Sequence, residues 1–171
     1  MNKRVLIIVA ALMAATILAV PVMAEPTKGQ KVFASMTPTA LIGACPPAEQ
    51  WVSDEGVVQI RGQVQIRSFV LSIGEQDYTG VTTSLQDVSN DLTTGVVVAH
   101  IYATHLVDGM TGGFAGVVEM KLYNFNPMSF TWDWETWHSV ANGFGDFGGQ
   151  KLILSYEGLP NGPRTGYCLK G

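Results

Sequence analysis

SFTWDWETWHSVANGFGDFGGQKLILSYEG, residues Ser129 to Gly158, is the stretch that decides the fold. Its first half, Phe130 to Val140, alternates large aromatic and polar side chains. The middle, Gly143 to Gly149, holds four glycines in seven residues. That density is incompatible with helix and supplies the φ > 0 positions of a tight corner. From Lys151 to Tyr156 the alternation resumes. Two strands joined by a glycine corner are predicted, and the chain around them is read against that hairpin.

Upstream, Val58 to Arg67 alternates strictly: Val58, Ile60, Gly62, Val64 and Ile66 on one parity, Gln59, Arg61, Gln63, Gln65 and Arg67 on the other. Period two over ten residues predicts a half-buried antiparallel strand. At Ser68 the phase slips, and Phe69, Leu71 and Ile73 continue on the opposite parity, which predicts a bulge or a strand passing round a curved sheet. Tyr78 to Val88 reads as a polar strand suited to an edge or a lumen. Val96 to Val107 is apolar on both parities and is expected to be buried on both faces over at least half its length. Phe114 to Tyr123 completes the set before the hairpin. With six to eight long strands, glycine at their ends and no amphipathic helix, the expected class is all-β: a closed antiparallel barrel or a sandwich. An eight-stranded barrel is preferred, because phase slips within long strands are what closing a sheet demands.

The N-terminus carries a different signal. Lys3 and Arg4 precede an apolar run from Val5 to Val20, Pro21 breaks it, and Val22-Met23-Ala24 places small residues at a cleavage site. Residues 1–24 are thus expected to be a secretory signal helix, with an extracytoplasmic mature protein. An uncleaved anchor is the rival, but the run is shorter than the roughly 20 residues that span a bilayer. Residues 25–56, broken by Pro26, Pro38, Pro46 and Pro47, are expected to be irregular, and residues 57–171 to form the barrel domain. Once the signal is removed, 8 basic side chains face 14 acidic ones. With no basic cluster, nucleic acid and anionic membrane surfaces are excluded as expected partners. In an exported chain Cys45 and Cys168 are expected to form a disulfide. Closing a loop of that size stabilises by about 4–5 kcal/mol on the chain-entropy estimate.

Candidate chemistry is sparse. His100, Glu119 and His138 have no metal-ligand spacing, and no cofactor fingerprint is present. Asp133 and Glu135 share a parity and would be the carboxylates of an acid/base pair, or simply the wet side of a strand. Phe130, Trp132, Trp134 and His138 share the other parity. With Tyr102 they are the residues expected to line a ligand site in the barrel mouth, since stacked aromatics on one strand face mean core or ligand lining.

The run Trp137-His138 followed by Gly143-Phe144-Gly145-Asp146-Phe147-Gly148-Gly149-Gln150 and the alternating Leu152, Leu154 and Tyr156 resembles the last hairpin of the small barrels grouped with allene oxide cyclase and dirigent proteins. The resemblance spans roughly residues 95–158, including the glycines from Gly109 to Gly116. It implies an eight-stranded barrel with a central cavity, in a group whose members are often homo-oligomers. No catalytic residue is carried over, because no position matches. The leading functional expectation is non-catalytic binding of a small apolar or aromatic ligand in the cavity. The alternatives are a cyclase-, isomerase- or lyase-type enzyme using Glu119, His138 or Glu135, and a packed structural or surface protein.

Overall fold

The computed structural model describes residues 30–129 and 131–170. The expected signal helix and Phe130 lie outside them. The described chain is all-β, with nine strands: β1 (Gln30–Cys45), β2 (Glu49–Val52), β3 (Val57–Ile73), β4 (Gln76–Asp91), β5 (Val96–Val107), β6 (Gly113–Tyr123), β7 (Trp134–Phe144), β8 (Gln150–Gly158) and β9 (Arg164–Lys170). Each pairs antiparallel with its neighbour in the order β1-β9-β8-β7-β6-β5-β4-β3, and β1 pairs with β3 to close an eight-stranded barrel. The short β2 takes over from β1 along the far half of β3, through pairs such as Trp51 with Gln59.

The segment expected to be irregular therefore supplies β1 and β2. Its prolines fall where a strand tolerates them: Pro38 borders a register irregularity, and Pro46 and Pro47 sit between the two strands. Proline lacks a ladder donor, so it is confined to such positions. The glycine corner is shorter than its composition suggested. β7 runs on through Phe144, and a single 3-10 turn at Gly145–Phe147 buries Phe147 before β8 begins. Gly145 at φ +60° and Gly149 at φ +78° take the left-handed positions of this corner.

The disulfide is not formed: Cys45 and Cys168 are not bonded to each other. Cys168 pairs in register with Val32, whereas Cys45 lies at the opposite end of β1 and pairs with Val64. At about 3.3 Å per residue that separation along β1 is on the order of 40 Å. The first and last strands are nonetheless side by side, Gln30 opposite Lys170, held by the β1–β9 ladder.

The wall alternates as closure requires. Along β5, Val97, Ala99, Ile101, Ala103, His105 and Val107 are buried, while His100, Tyr102 and Leu106 are exposed, so this strand buries one face rather than the expected two. The interior is unequal along its length. At the end where β3 meets β4, Phe69, Leu71, Ile73, Phe114, Phe147, Leu152 and Leu154 form a packed apolar plug. Toward the other end a smaller cluster of Ala99, Ile101, Ala103 and Val118 covers one wall. Two strands along from β5, the residues of β3 from Val57 to Ser68 are all half-buried, on both parities.

That half of β3 explains the phase slip at Ser68. Register with β4 is irregular between Ile60 and Gln63, where Gly62 adopts φ +69°. This bulge turns Gln63, Gln65 and Arg67 inward, continuous with Phe69, and turns Val64 and Ile66 outward. A register irregularity does fall at Ser68, but on the β1 side, where Thr39 and Ala40 together stand opposite it. Ser68 borders the change from an apolar to a polar barrel interior. The polar strand β4 lines the same lumen, with Ser84 and Gln86 buried.

Candidate functional site in the polar half of the barrel

Three strands bring charge into the barrel. Glu135 on β7 is 1 % exposed, and Arg164 opens β9 at 6 %. Arg164 Nη2 donates to Glu135 Oε1 at 2.9 Å. Trp132 Nε1 donates to the second carboxylate oxygen at 3.0 Å, and Arg164 Nη1 donates to the Gly162 carbonyl at 2.7 Å. The guanidinium lies 5.6 Å from the ring centroids of both Trp137 and Tyr156, which are register partners on β7 and β8, a cation–π arrangement with each. Tyr156 is fixed by its own hydroxyl, which donates to the Leu159 carbonyl at 2.6 Å. Burial pushes the Arg164 pKa down, Glu135 and then Tyr156 oppose that shift, and Arg67 adds to it. A guanidinium stays charged under such perturbation.

Arg67 belongs to the same interior. Its register partner Thr82 bonds the ring of buried His105, Oγ1 to Nδ1 at 2.7 Å, so Arg67 stands on the inward face. Arg67 Nε donates to Gln65 Oε1 at 3.3 Å. Below it, Gln86 Nε2 donates to Ser84 Oγ at 3.0 Å, and Ser84 Oγ donates to the Gln65 carbonyl at 3.3 Å. The result is a polar shelf on β3 and β4 that runs directly beside an apolar stretch on β5 and β6, Ser84 being paired with Ala103 and Gln86 with Ile101. His105, sealed among Phe69 and Phe114, has its pKa lowered to about 4 by burial and is neutral at ordinary pH.

The expected ligand residues do not assemble in this interior. Tyr102 and Trp134 are 48 % and 42 % exposed. Tyr102 and His138 alternate with inward Ile101, Ala103, Trp137 and Ser139, so they belong to the outer face. Trp132, bonded to Glu135, is the one of the described four tied to the interior. Asp133 and Glu135 part company too: Asp133 is exposed and accepts from Asn124 Nδ2 at 3.1 Å, while Glu135 is buried.

His100, Glu119 and His138 do fall in line, as successive register partners on the outer wall. The row continues to Ser155, whose Oγ lies 2.9 Å from His138 Nδ1. An open groove of ≈ 610 Å³ runs over this part of the wall, lined by Glu119, Lys121, His138, Ser155, Glu157 and Thr165 among others. Side chains on the convex side of a barrel splay apart. Among the described residues no three His, Cys, Asp or Glu groups converge to hold a metal ion.

Arg67 and Arg164 escape a reading by alternation. Arg67 shares a parity with glutamines next to a well-formed apolar parity, so the rule that apolar faces inward assigns it to water. Arg164 lies in a Pro- and Gly-rich tail without periodicity. The available signal was the phase slip at Ser68, which marks where the inward parity turns polar. No protein-family model, no curated protein and no solved structure matches this chain.

Proposed function

We propose that this protein is an exported, non-catalytic binding protein that takes a small ligand with an apolar or aromatic body into the polar half of its barrel. The carrying observation is the buried Arg164–Glu135 pair, whose guanidinium lies beside the rings of Trp137 and Tyr156 rather than in a packed apolar core. Removing two charges from water is a heavy cost for stability alone, and hydrophobic replacements of equal size commonly do as well or better. Pockets for small molecules are mostly apolar with a few fixed polar groups, which is the make-up of this interior. The connections at this end of the barrel present exposed apolar side chains: Leu92 after β4, Met128 between β6 and β7, and Leu159 after β8. They offer an apolar rim to an entering ligand. The likeness to the allene oxide cyclase and dirigent barrels fits this reading as a proposal of kinship in shape, with no activity attached. Export rests on the N-terminal signal pattern alone.

An enzyme built on Glu119, His138 or Glu135 is less well supported. Glu135 is committed to Arg164 and Trp132, while Glu119 and His138 are exposed on the outer wall.

The test is native mass spectrometry of protein purified from its own source, compared with the mass after denaturation. A bound species of a few hundred daltons that is lost on unfolding is the expected result. A ligand-free species from material never exposed to denaturant or organic solvent counts against the proposal.

A further inference from the structure

The charges inside the barrel do not balance. On the inward parities of the polar half stand Arg67, Arg164 and Glu135, and among the described residues no second carboxylate accompanies them. Asp87, the nearest acid on β4, points outward and accepts from the Gly62 backbone amide at 3.0 Å. Glu135 is spoken for, since both its oxygens already accept hydrogen bonds, from Arg164 and Trp132. Arg164 Nε is buried and has no hydrogen-bond partner among the described residues. Arg67 is half-buried and donates from its Nε to Gln65, which leaves the terminal nitrogens of its guanidinium to face a ligand. Buried or half-buried donors left unmet destabilise a fold, and an uncompensated cation more so than a neutral donor.

The geometry points to a monoanionic carboxylate as the head group of the ligand, seated in the barrel between Arg67 and Arg164. This deepens the proposed binding function and rests on it. Two guanidiniums with donors to spare match the two oxygens and four lone-pair sites of a carboxylate. One negative charge brings the interior from a net +1 to zero, whereas a phosphate dianion overshoots. The ligand's apolar body then lies against Ala99, Ile101 and Val118 on the adjoining strands β5 and β6 and extends toward the rim.

The test compares three probes by calorimetric titration at fixed low salt: 2-naphthoate, its uncharged counterpart 2-naphthylmethanol, and 2-naphthyl phosphate. Wild-type protein is expected to bind 2-naphthoate at least ten-fold more tightly than 2-naphthylmethanol, with 2-naphthyl phosphate weaker than the carboxylate. Arg67→Gln, which keeps the side chain polar and breaks no ion pair, is expected to reduce that preference to within three-fold. Equal binding of the charged and uncharged probes, or a preference untouched by Arg67→Gln, overturns the carboxylate assignment and leaves the binding function standing. Tighter binding of the phosphate overturns the monoanion in favour of a dianion. No binding of any of the three probes counts against the binding function itself. Circular dichroism of Arg67→Gln confirms that the variant is folded before its affinities are compared.

Discussion

Arg164 Nη2 sits 2.9 Å from Glu135 Oε1 in the barrel interior, and each side chain is almost wholly withdrawn from water. The pair ties the first residue of β9 to the second residue of β7 across the intervening β8. It therefore fixes the strand ends beside the rim.

Glu135→Gln keeps the shape but leaves the Arg164 charge with aromatic faces and one carbonyl. Removing one partner of a buried pair costs about 3–5 kcal/mol, and a loss in that range is expected in urea denaturation. The double variant Glu135→Leu/Arg164→Met is expected to recover most of the loss, because the orphaned charge goes with its partner. A double variant no better than Glu135→Gln would contradict this account of the pair.

His105 makes stability depend on pH. Its pKa falls from 6.5 to about 4 on folding, so between these values the unfolded chain binds a proton that the native chain does not. Stability is thus full above pH 6.5 and declines as pH falls, by about 1.4 kcal/mol per unit and roughly 3 kcal/mol in all. Arg67, the inward charge next in register beyond Thr82, gives an imidazolium no counter-ion. Urea midpoints at pH 7 and pH 4.5 are expected to differ more for wild type than for His105→Gln. Equal pH dependence in the two proteins would remove His105 from the explanation.

Gly80 and Gly43 predict opposite responses to alanine. A Cβ on Gly80 would lie 2.1 Å from the Leu106 carbonyl oxygen and 2.6 Å from the Phe69 ring. The β5 backbone and the core ring cannot both yield, so Gly80→Ala is expected to lose at least about 2–3 kcal/mol. At Gly43 no atom lies within 4 Å and φ is not positive, so alanine there is expected to be neutral or to stabilise by about 0.4–1 kcal/mol. Thermal melts of the two variants decide the matter, and a tolerated Gly80→Ala would mean that the β4–β5 contact is looser than described.

Because Cys45 and Cys168 are far apart along β1 and not bonded to each other, dithiothreitol is expected to leave the melting temperature of the purified barrel unchanged. A bridge closing so long a loop would contribute about 4–5 kcal/mol and its reduction would lower the midpoint by many degrees. A reductant-sensitive melt would show that the two thiols pair after all.

Sequence alone determined the class of structure, since strand periodicity and glycine corners are local properties of the chain. Alternation along Val58–Arg67, Phe114–Tyr123 and Lys151–Tyr156 yields strands whatever lies beside them. What alternation cannot say is which parity faces in, and for β3 the answer reverses the usual rule. The bulge at Gly62 and the pairing of Arg67 with Thr82 turn the polar parity into the lumen. Only closure of the sheet decides that, because an inside exists only once β1 has met β3 and β9. The same closure set the two cysteines apart and placed Tyr102, Trp134 and His138 on the outer wall. It also brought Arg164, from a tail with no pattern of its own, against Glu135, 29 residues earlier in the chain. Partners that distant in sequence leave no periodic trace, and their meeting is a product of the tertiary structure.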